Sequence, residues 1–448
     1  MKTYDLIVIG AGPGGYVAAI RAAQLGQKVA LIEKDQVGGT CLNVGCIPSK
    51  TLLKHSAVVE EIERANAWGI RTGQVDIDFS ALMKRKDAVV QTLISGVQHL
   101  LKKNGITLYR GTARVQKNRV VTIGEEQIKT RHLLLATGSR PFIPPIKGLE
   151  QVQYLTTDTF FQLTQLPKSL AIIGGGVIAV ELAFAMAPLG TKVTLIEVAS
   201  DLLLTEDPDA RKIIRKELKK RKVDIITQAQ IVEVKQGHVV LENNEIPFDQ
   251  LLVAAGRQPN LELAEALRLQ KDGKYVAVNE RYETSEPQVY AVGDLIGGFQ
   301  LAHAASAEAL VAVHAMHGEA VKPLEQTAIP RCVYTHPEIA SFGYSEQEAR
   351  EAGYDITVSN VPLSGNGKAI AMGDTAGFVK IISNQQYGEI LGAVIVGVGA
   401  TELIGQVLAL KHAEGTVEEL AAVIQAHPTV SEAIGESANA TFQRAIHL

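Results

Sequence analysis

An internal repeat constrains the fold of this chain more than any other feature of its sequence. Residues 5–33 align without a gap with residues 169–197. Each copy consists of an apolar strand, a glycine-rich turn, a helix rich in Ala and Leu, and a second apolar strand that ends in Glu. This order is the β-α-β fingerprint of a dinucleotide-binding unit. Two copies in matched context predict an α/β fold with two bound dinucleotides.

The small residues of the fingerprint each have a physical task. The first glycine makes a tight turn after the strand, the second lets the backbone approach a pyrophosphate, and the third small residue keeps the helix close to the sheet. The residues at these positions are Gly10, Gly12 and Gly15 in the first copy, and Gly174, Gly176 and Ala179 in the second. The N-terminus of each helix offers free N–H groups to the phosphates. We therefore expect these residues to contact the two dinucleotides.

An acidic residue closes each copy and indicates which cofactor binds. Glu33 and Glu197 end the second strand of their units, where a carboxylate can accept hydrogen bonds from an adenosine ribose. The Glu197 carboxylate would also repel a 2′-phosphate, and residues 198–200 supply no arginine to receive one. The second dinucleotide is therefore expected to be NAD and not NADP.

Three further apolar strands end in glycine, at Gly138, Gly256 and Gly293. A strand followed by an ordinary turn would give the same pattern. In a protein that binds two dinucleotides, however, these glycines are expected to let the backbone lie against a cofactor. Asp294, which follows the third strand, could accept hydrogen bonds from the ribitol hydroxyls of a flavin.

Only three cysteines occur in the chain, and two of them, Cys41 and Cys46, lie close together in sequence. No second cysteine pair or His-rich segment is present to complete a zinc site. On an ideal helix two residues five apart are too distant for a disulfide, so residues 43–45 are expected to bend the chain. A helix N-terminus and the nearby Lys50 would lower a thiol pKa and produce a reactive thiolate. Redox chemistry is therefore favoured over two buried structural cysteines.

The segment around these cysteines, GGTCLNVGCIPSK over residues 38–50, resembles the active-site segment of the pyridine nucleotide–disulfide oxidoreductases. The resemblance covers essentially the whole chain, because GAGPGG, ATGSRP, GGGVIAVE, AAGRQPN, AVGD and AHPTVSE occur in the order typical of that family. It implies FAD on the first unit and NAD on the second. It also implies a redox-active disulfide in which Cys41 exchanges with the substrate, while Cys46 contacts the flavin and passes electrons to it.

Further cofactor contacts follow from the same resemblance. Lys50 would lie near the flavin N5 and pair with Glu181 on the second fingerprint helix, and Ala113 would contact the FAD adenine through its backbone. The remaining implied cofactor contacts are Gly39, Thr40, Ser139 and Ala302. No metal ligand is implied.

Near the other end of the chain, residues 426–432 (AHPTVSE) resemble the catalytic His–Glu pair of the family. Oxidation of a dithiol needs a group with a pKa near neutrality to remove thiol protons, and histidine suits this task. Glu432 would bond the other ring nitrogen of His427 and fix its tautomer. The resemblance also implies a cis bond between His427 and Pro428. Gln425 is a departure, because relatives often carry a second histidine there, but the His–Glu pair remains.

The expected architecture is α/β, with two Rossmann-like dinucleotide-binding domains and a C-terminal α+β dimerisation domain. The predicted regions are an FAD-binding domain over residues 1–144, an NAD-binding domain over 145–262, a central region completing the FAD site over 263–329, and the dimerisation domain over 330–448. The last domain should contain antiparallel strands over residues 377–383 and 389–397, followed by helices.

The resemblance implies an activity and two kinds of partner. The protein would oxidise dihydrolipoamide carried on the lipoylated dihydrolipoyl acyltransferase of a 2-oxo acid dehydrogenase complex, and reduce NAD. It would form a homodimer in which His427 serves the cysteines of the partner subunit. The sequence leaves open which complex, or glycine cleavage system, the protein serves.

Other functions fit the sequence less well. A net charge of −4 gives no indication of a nucleic acid partner, and the basic run over residues 211–222 has apolar interruptions at helical spacing, as expected for a solvated helix face. No apolar stretch reaches the about 18 residues of a membrane helix, so a cytoplasmic protein without membrane insertion is expected.

Three rivals each lack a feature that they need. A mercuric reductase would need another cysteine pair near the C-terminus, and a glutathione reductase would need arginines after Glu197 to bind NADP. A redox-silent nucleotide-binding protein would not need Cys41, Cys46 and His427 together.

Overall fold

The first repeat copy lies in a seven-stranded sheet. The computed structural model describes residues 1–447. The first elements are β1 (Lys2–Ile9), α1 (Pro13–Gln24), β2 (Val29–Glu33), α2 (Gly39–Val44), α3 (Cys46–Ala65), α4 (Phe79–Lys103), β3 (Thr107–Arg110), β4 (Ala113–Val115), β5 (Val120–Ile123), β6 (Glu126–Leu135) and β7 (Ser139–Pro141). Six of its strands have the order β3-β2-β1-β6-β5-β4, and the seventh comes from later in the chain. Strands β1, β2, β3 and β6 run parallel. Residues 6–9 of β1 are apolar and buried at the centre of this sheet, as the continuous apolar run of a doubly covered parallel strand predicts.

The second repeat copy forms a sheet of its own. Its elements are β8 (Leu155–Thr156), β9 (Ser169–Ile173), α5 (Val177–Met186), β10 (Lys192–Ile196), α6 (Pro208–Lys220), β11 (Asp224–Ile226), β12 (Ile231–Lys235), β13 (His238–Leu241), β14 (Glu245–Pro247), β15 (Gln250–Val253) and β16 (Arg257–Pro259). The parallel sheet has the order β11-β10-β9-β15-β8, and β12–β14 form a separate antiparallel sheet. The antiparallel pair β7–β16 joins the two repeat units at the point where the chain passes between them.

The chain then returns to the first sheet. This region contains α7 (Glu262–Leu267), β17 (Lys271–Asp272), β18 (Tyr275–Val276), β19 (Val289–Ala291) and α8 (Ala302–Met316). The short strand β19 pairs in parallel with the last three residues of β6. The helix α8 packs tightly on α1, where a Cβ at Gly14 would lie only 3.3 Å from the Ala305 carbonyl oxygen. The strand β19 and the helix α8 therefore pack on the first unit.

A five-stranded antiparallel sheet dominates the C-terminal region. Its elements are β20 (Arg331–Val333), β21 (Glu338–Gly343), α9 (Glu346–Glu351), β22 (Ile356–Pro362), α10 (Gly367–Met372), β23 (Phe378–Asn384), β24 (Ile390–Gly397), α11 (Ala400–His412), α12 (Val417–Ala422) and α13 (Glu432–Ala440). The sheet order is β20-β21-β24-β23-β22. Strands β23 and β24 are buried on both faces: one face packs on α11 and α13, and the other packs on the second repeat unit. The α/β class and the two expected antiparallel strands are confirmed.

The predicted domain boundaries can be placed on these elements. The boundary after residue 144 falls between β7 and β8, and that after residue 329 falls between α8 and β20, whereas the boundary after residue 262 falls at the first residue of α7. The division into four regions stays a prediction. No helix within residues 1–447 has the length and apolar character that crossing a membrane requires.

A buried lysine connects the C-terminal sheet with the second repeat unit. The Lys380 Nζ lies 2.9 Å from Asp207, 3.3 Å from Asp209 and 3.2 Å from Glu346, and the lysine side chain is only 5% exposed. We expect Lys380→Leu to lower the free energy of unfolding by about 3 kcal/mol, because it leaves the largely buried Asp207 carboxylate without a counter-charge. Urea unfolding measures this, with the exposed Lys322→Leu as control. Equal stability of the two variants would contradict the prediction.

Candidate active site

The first fingerprint turn needs glycine for two different reasons. Gly10 has a φ of +102°, and a Cβ there would lie 2.2 Å from the Ala136 carbonyl oxygen. A Cβ at Gly15 would lie 1.8 Å from the Gly10 carbonyl oxygen, so this position can hold only glycine while α1 stays against the sheet. At Gly12, by contrast, the nearest atom to a Cβ would be the Gly39 Cα at 3.9 Å. No backbone clash therefore requires glycine at this position, and the α1 N-terminus beside it has no side-chain cap. An uncapped helix N-terminus fits a pyrophosphate.

The second fingerprint turn repeats this geometry. Gly174 has a φ of +126°, and a Cβ there would lie 2.3 Å from the Ala254 carbonyl oxygen. A Cβ at Gly176 would meet no atom within 4 Å, and the α5 N-terminus also lacks a side-chain cap. Ala179 is fully buried, so alanine is small enough for the third position in this copy. The turn fits a second dinucleotide.

The two acidic residues are fixed by backbone N–H groups beside these turns. Glu33 is buried, and its oxygens accept hydrogen bonds from Ala11 N at 2.7 Å and Asp35 N at 2.8 Å. Glu197 accepts from Ala199 N at 2.6 Å. A carboxylate oxygen has two lone pairs, so each side chain can still accept a hydrogen bond from a ribose hydroxyl. The turns and the carboxylates together fit two nucleotide cofactors.

A polar cluster lies where the two repeat units meet. The Ser139 hydroxyl donates to the Asp294 carboxylate, which brings two of the predicted flavin contacts together. Arg257 donates from Nε to Ser139 Oγ at 2.6 Å and from Nη2 to the Ser139 carbonyl at 2.8 Å. Sequence reasoning missed Arg257, although it directly follows Gly256 in the AAGRQPN segment that drew attention for its glycine. Gly138 and Gly256 both have positive φ, and a Cβ at either would meet no atom within 4 Å.

The remaining predicted cofactor contacts lie at the start of three elements. Gly39 begins α2 with a φ of +57°, and a Cβ there would lie 2.7 Å from the Gly12 Cα, so this glycine brings the N-termini of α1 and α2 together. Thr40 follows it in the same turn. Ala302 is the first residue of α8, whose N-terminus has no side-chain cap, and Ala113 is the buried first residue of β4.

A break between α2 and α3 brings the cysteine pair together. The chain bends at Gly45, which has a φ of −137° and a ψ of −110°, and a Cβ there would lie 2.9 Å from the Thr40 carbonyl oxygen. Cys41 lies in α2 and Cys46 begins α3. Both are half-buried free thiols, and each is the largest influence on the pKa of the other. The expected bend is therefore present, and it brings the two thiols close enough to change each other's acidity.

The environment gives the two thiols opposite acidities. The hydrogen bond that Cys46 accepts from Cys41 lowers the pKa of Cys46 to about 7, with a further contribution from the positive charge of Lys50 and against the effect of burial. The same hydrogen bond, together with burial, raises the pKa of Cys41. Cys46 is therefore the thiol that ionises first in the reduced pair.

Three regions of the chain meet at the Lys50 ammonium. The Lys50 Nζ donates to Glu181 Oε2 at 2.7 Å, and Glu181 is buried. The other oxygen of this carboxylate accepts from the backbone N–H of Tyr334 at 2.9 Å. The Tyr334 ring centroid lies 4.4 Å from the Lys50 Nζ, within the range of a cation–π contact. Sequence reasoning paired Lys50 with Glu181 but missed Tyr334.

The His–Glu pair lies at the start of α13. His427 Nδ1 is 2.9 Å from Glu432 Oε1, and the bond to Pro428 is cis. Glu432 Oε2 also accepts from Thr429 N at 2.9 Å, and this bond, followed by that to the histidine, lowers the pKa of the Glu432 carboxyl. The His427 side chain is 80% exposed. Over residues 1–447 no hydrogen bond links it to a cysteine of the same chain.

No metal cluster accompanies these groups in the described part of the chain. Across residues 1–447, no three His, Cys, Asp or Glu side chains lie close enough to hold a metal ion together. The arrangement contains a dithiol with one acidic member, a lysine beside it, two nucleotide-binding turns and an oriented imidazole. Such a set can move two electrons between a thiol pair and a dinucleotide.

Comparison with known proteins agrees with this geometry. Residues 4–309 match the family model described as pyridine nucleotide-disulphide oxidoreductase, and residues 329–438 match its dimerisation domain. A dihydrolipoyl dehydrogenase of Bacillus subtilis (strain 168) is 39% identical over 99% of both chains, and one of Thermus scotoductus is 40% identical over 100% of this chain and 99% of its own.

Solved structures show the same fold along the chain. LpdA from Mycobacterium tuberculosis superposes with a TM-score of 0.90 at 26% identity, over 97% of this chain and 99% of its own. The HOCl-induced flavoprotein disulfide reductase RclA from Escherichia coli has a TM-score of 0.87 at 29% identity, over 97% and 99% of the two chains.

Proposed function

The chain belongs to the pyridine nucleotide-disulphide oxidoreductases, and from this premise we propose that it oxidises protein-bound dihydrolipoamide to lipoamide. It uses FAD and NAD as cofactors. The observation that carries the proposal is the helix break that brings Cys41 and Cys46 together, next to Lys50, so that each thiol changes the acidity of the other. Full-length similarity to dihydrolipoyl dehydrogenases supports this choice of substrate.

The reaction starts with the cysteine pair oxidised to a disulfide. A thiolate of the substrate attacks the Cys41 sulfur, forms a mixed disulfide and releases Cys46 as a thiolate. The second substrate thiol, deprotonated, then attacks the substrate sulfur of the mixed disulfide and releases Cys41. The substrate leaves as a cyclic disulfide, having lost two electrons, and the cysteine pair is reduced by two electrons. FAD held on the first repeat unit would supply the chemistry that carries two electrons from a thiol pair to NAD as a hydride.

The lysine and its partners act on the Cys46 thiolate. Lys50 is one helical turn after Cys46 and lowers its pKa, so the released thiolate is stabilised at the atom that must give up electrons. Glu181 holds the ammonium in place from the second repeat unit. In this proposal Lys50 also lies near the flavin N5.

The imidazole removes the protons that thiol exchange releases. His427 is oriented through Nδ1 by Glu432, so Nε2 is free to take a proton. Its high exposure in the single chain supports a role at the cysteines of a second subunit. The match to a dimerisation domain supports a homodimer.

A turnover assay tests the proposed reaction. We expect the protein to reduce NAD with dihydrolipoamide as electron donor, and to do so faster when the lipoyl group is carried on a purified acyltransferase. Reduction of other disulfides without oxidation of dihydrolipoamide would contradict the proposal, because it would place the substrate elsewhere in the family. The acyltransferase of a 2-oxo acid dehydrogenase complex is the proposed physiological partner, and the cytoplasmic location stays a prediction.

We also expect NAD to be preferred over NADP. Glu197 should accept a hydrogen bond from the ribose and repel a 2′-phosphate. Glu197→Ala should therefore lower the ratio of kcat/KM for NAD to kcat/KM for NADP by roughly tenfold, equivalent to about 1.4 kcal/mol. Steady-state kinetics with both cofactors measure this, with the exposed Glu242→Ala as control. Equal or better use of NADP by the unaltered protein would contradict the assignment of Glu197.

A further inference from the structure

Tyr334 contacts the Lys50–Glu181 pair through both its backbone and its ring. It directly follows β20, and its backbone N–H donates to Glu181 Oε1 at 2.9 Å. Its ring centroid lies 4.4 Å from the Lys50 Nζ, while Glu181 Oε2 holds the same ammonium at 2.7 Å. The ammonium therefore lies between a carboxylate from α5 and an aromatic face from the C-terminal region.

The ring restricts an ammonium that would otherwise have freedom to move. The Lys50 side chain is 32% exposed, and a long lysine side chain can rotate its charge toward solvent. Glu181 alone fixes one of three N–H donors. The negative face of an aromatic ring attracts the cation from a second direction without accepting its proton. The two contacts together define one position for the charge.

We propose that Tyr334 is a positioning residue that holds the Lys50 ammonium beside the Cys46 thiolate. The inference deepens the proposed function, on which it rests, because it concerns the thiol that ionises in the reduced pair. If the ring were lost, the charge would spend less time near Cys46, and the thiolate would form only at higher pH. The Tyr334 hydroxyl takes no part in this argument.

The structure allows the ring to be changed without disturbing Glu181. The bond to Glu181 comes from the backbone of residue 334 and is kept whatever the side chain. Burial, followed by nearby negative groups, raises the pKa of Tyr334 to about 12, so its ring stays neutral while Cys46 is titrated. The titratable groups of this chain that face Cys46 are Cys41 on α2, Lys50 on α3, Glu181 on α5, Tyr16 on α1 and Tyr334.

The test is a pH titration of the flavin-loaded protein after two-electron reduction. The readout is the long-wavelength absorbance that arises when a thiolate lies against the flavin, and its midpoint reports the Cys46 thiolate. In Tyr334→Leu we expect the midpoint to rise by roughly one pH unit, because the nearby positive charge is displaced. Tyr334→Phe keeps the ring face and should titrate like the unaltered protein. Tyr387→Leu, at an exposed tyrosine, is the control.

A further variant separates the charge contact from simple packing. Pentafluorophenylalanine at position 334 keeps nearly the shape of phenylalanine but removes the negative face of its ring. If the ring acted only by packing, this variant and Tyr334→Phe would have the same pH midpoint of the long-wavelength absorbance. We expect the midpoint to rise as in Tyr334→Leu. This variant also decides the question if Tyr334→Leu fails to fold.

The outcomes distinguish this inference from the proposed function. If the fluorinated variant titrates like Tyr334→Phe, the positioning role is wrong, while the roles of Cys41 and Cys46 stand. If the unaltered protein shows no long-wavelength band at any pH, the proposed function fails, and the inference fails with it.

Discussion

A mixed dimer of one His427→Ala subunit and one Cys46→Ser subunit should recover about half of the unaltered activity, although each variant is inactive as a homodimer. Loss of the histidine removes the proton acceptor and should lower the turnover rate by about 10²–10⁴-fold. Loss of Cys46 removes the thiol that passes electrons to the flavin. In the mixed dimer, a site shared between subunits combines the intact cysteines of one chain with the intact histidine of the other. The second site collects both lesions. The 80% exposure of the His427 side chain in the single chain motivates this prediction.

The reciprocal dimer is the matched control. It combines an unaltered subunit with a subunit that carries both His427→Ala and Cys46→Ser. If the histidine acts across the interface, each site of this dimer has one lesion and the dimer is inactive. If the histidine acts within its own chain, the reciprocal dimer keeps about half of the activity and the first dimer is inactive. Co-expression with two affinity tags isolates both species, so the two results together decide between the arrangements.

The two active-site cysteines should differ in a spectrum as well as in turnover. Cys41→Ser and Cys46→Ser should each abolish oxidation of dihydrolipoamide, because either loss removes the disulfide. In the Cys41→Ser protein the remaining Cys46 thiolate should still give the long-wavelength absorbance with the flavin. Cys46→Ser should abolish that absorbance, since Cys46 is the thiol whose pKa is lowered, to about 7.

The third cysteine provides the control for this experiment. Cys332→Ser should keep both turnover and the absorbance band, because burial raises the pKa of Cys332 to about 11 and the proposed reaction does not use it. The opposite spectral pattern, with the band lost in Cys41→Ser and kept in Cys46→Ser, would show that the two assigned roles are exchanged.

Features encoded in contiguous sequence could be predicted. Gly10 and Gly174 have the positive φ that the tight turn of a fingerprint requires, and the structure shows it at both. The bend at Gly45 followed from the five-residue spacing of Cys41 and Cys46, because no straight helix brings such residues into contact. In each case the physical constraint acts between residues that are close along the chain, so the pattern of residue types is enough to indicate it.

Contacts between distant segments could not be predicted in the same way. Arg257 meets Ser139, and Lys380 meets Asp207, across more than one hundred residues. Tyr334 follows a short strand that no local pattern relates to Lys50. Which surfaces meet depends on how three packed units are oriented, and hydrophobic periodicity describes only the face that each element buries. The position of His427 relative to the cysteines has the same limit, since it depends on a second chain.

The late pairing of β19 with β6 determines the order in which the protein can mature during synthesis. When a ribosome has released only residues 1–144, residues 133–135 have no strand partner on the side that β19 will occupy. Asp294 has not yet been translated at that stage. About two-thirds of the 448 residues must therefore emerge from the ribosome before the flavin pocket can close. The nascent first unit therefore has an exposed apolar edge while the whole second unit is translated, and during that interval it is open to chaperones and to aggregation.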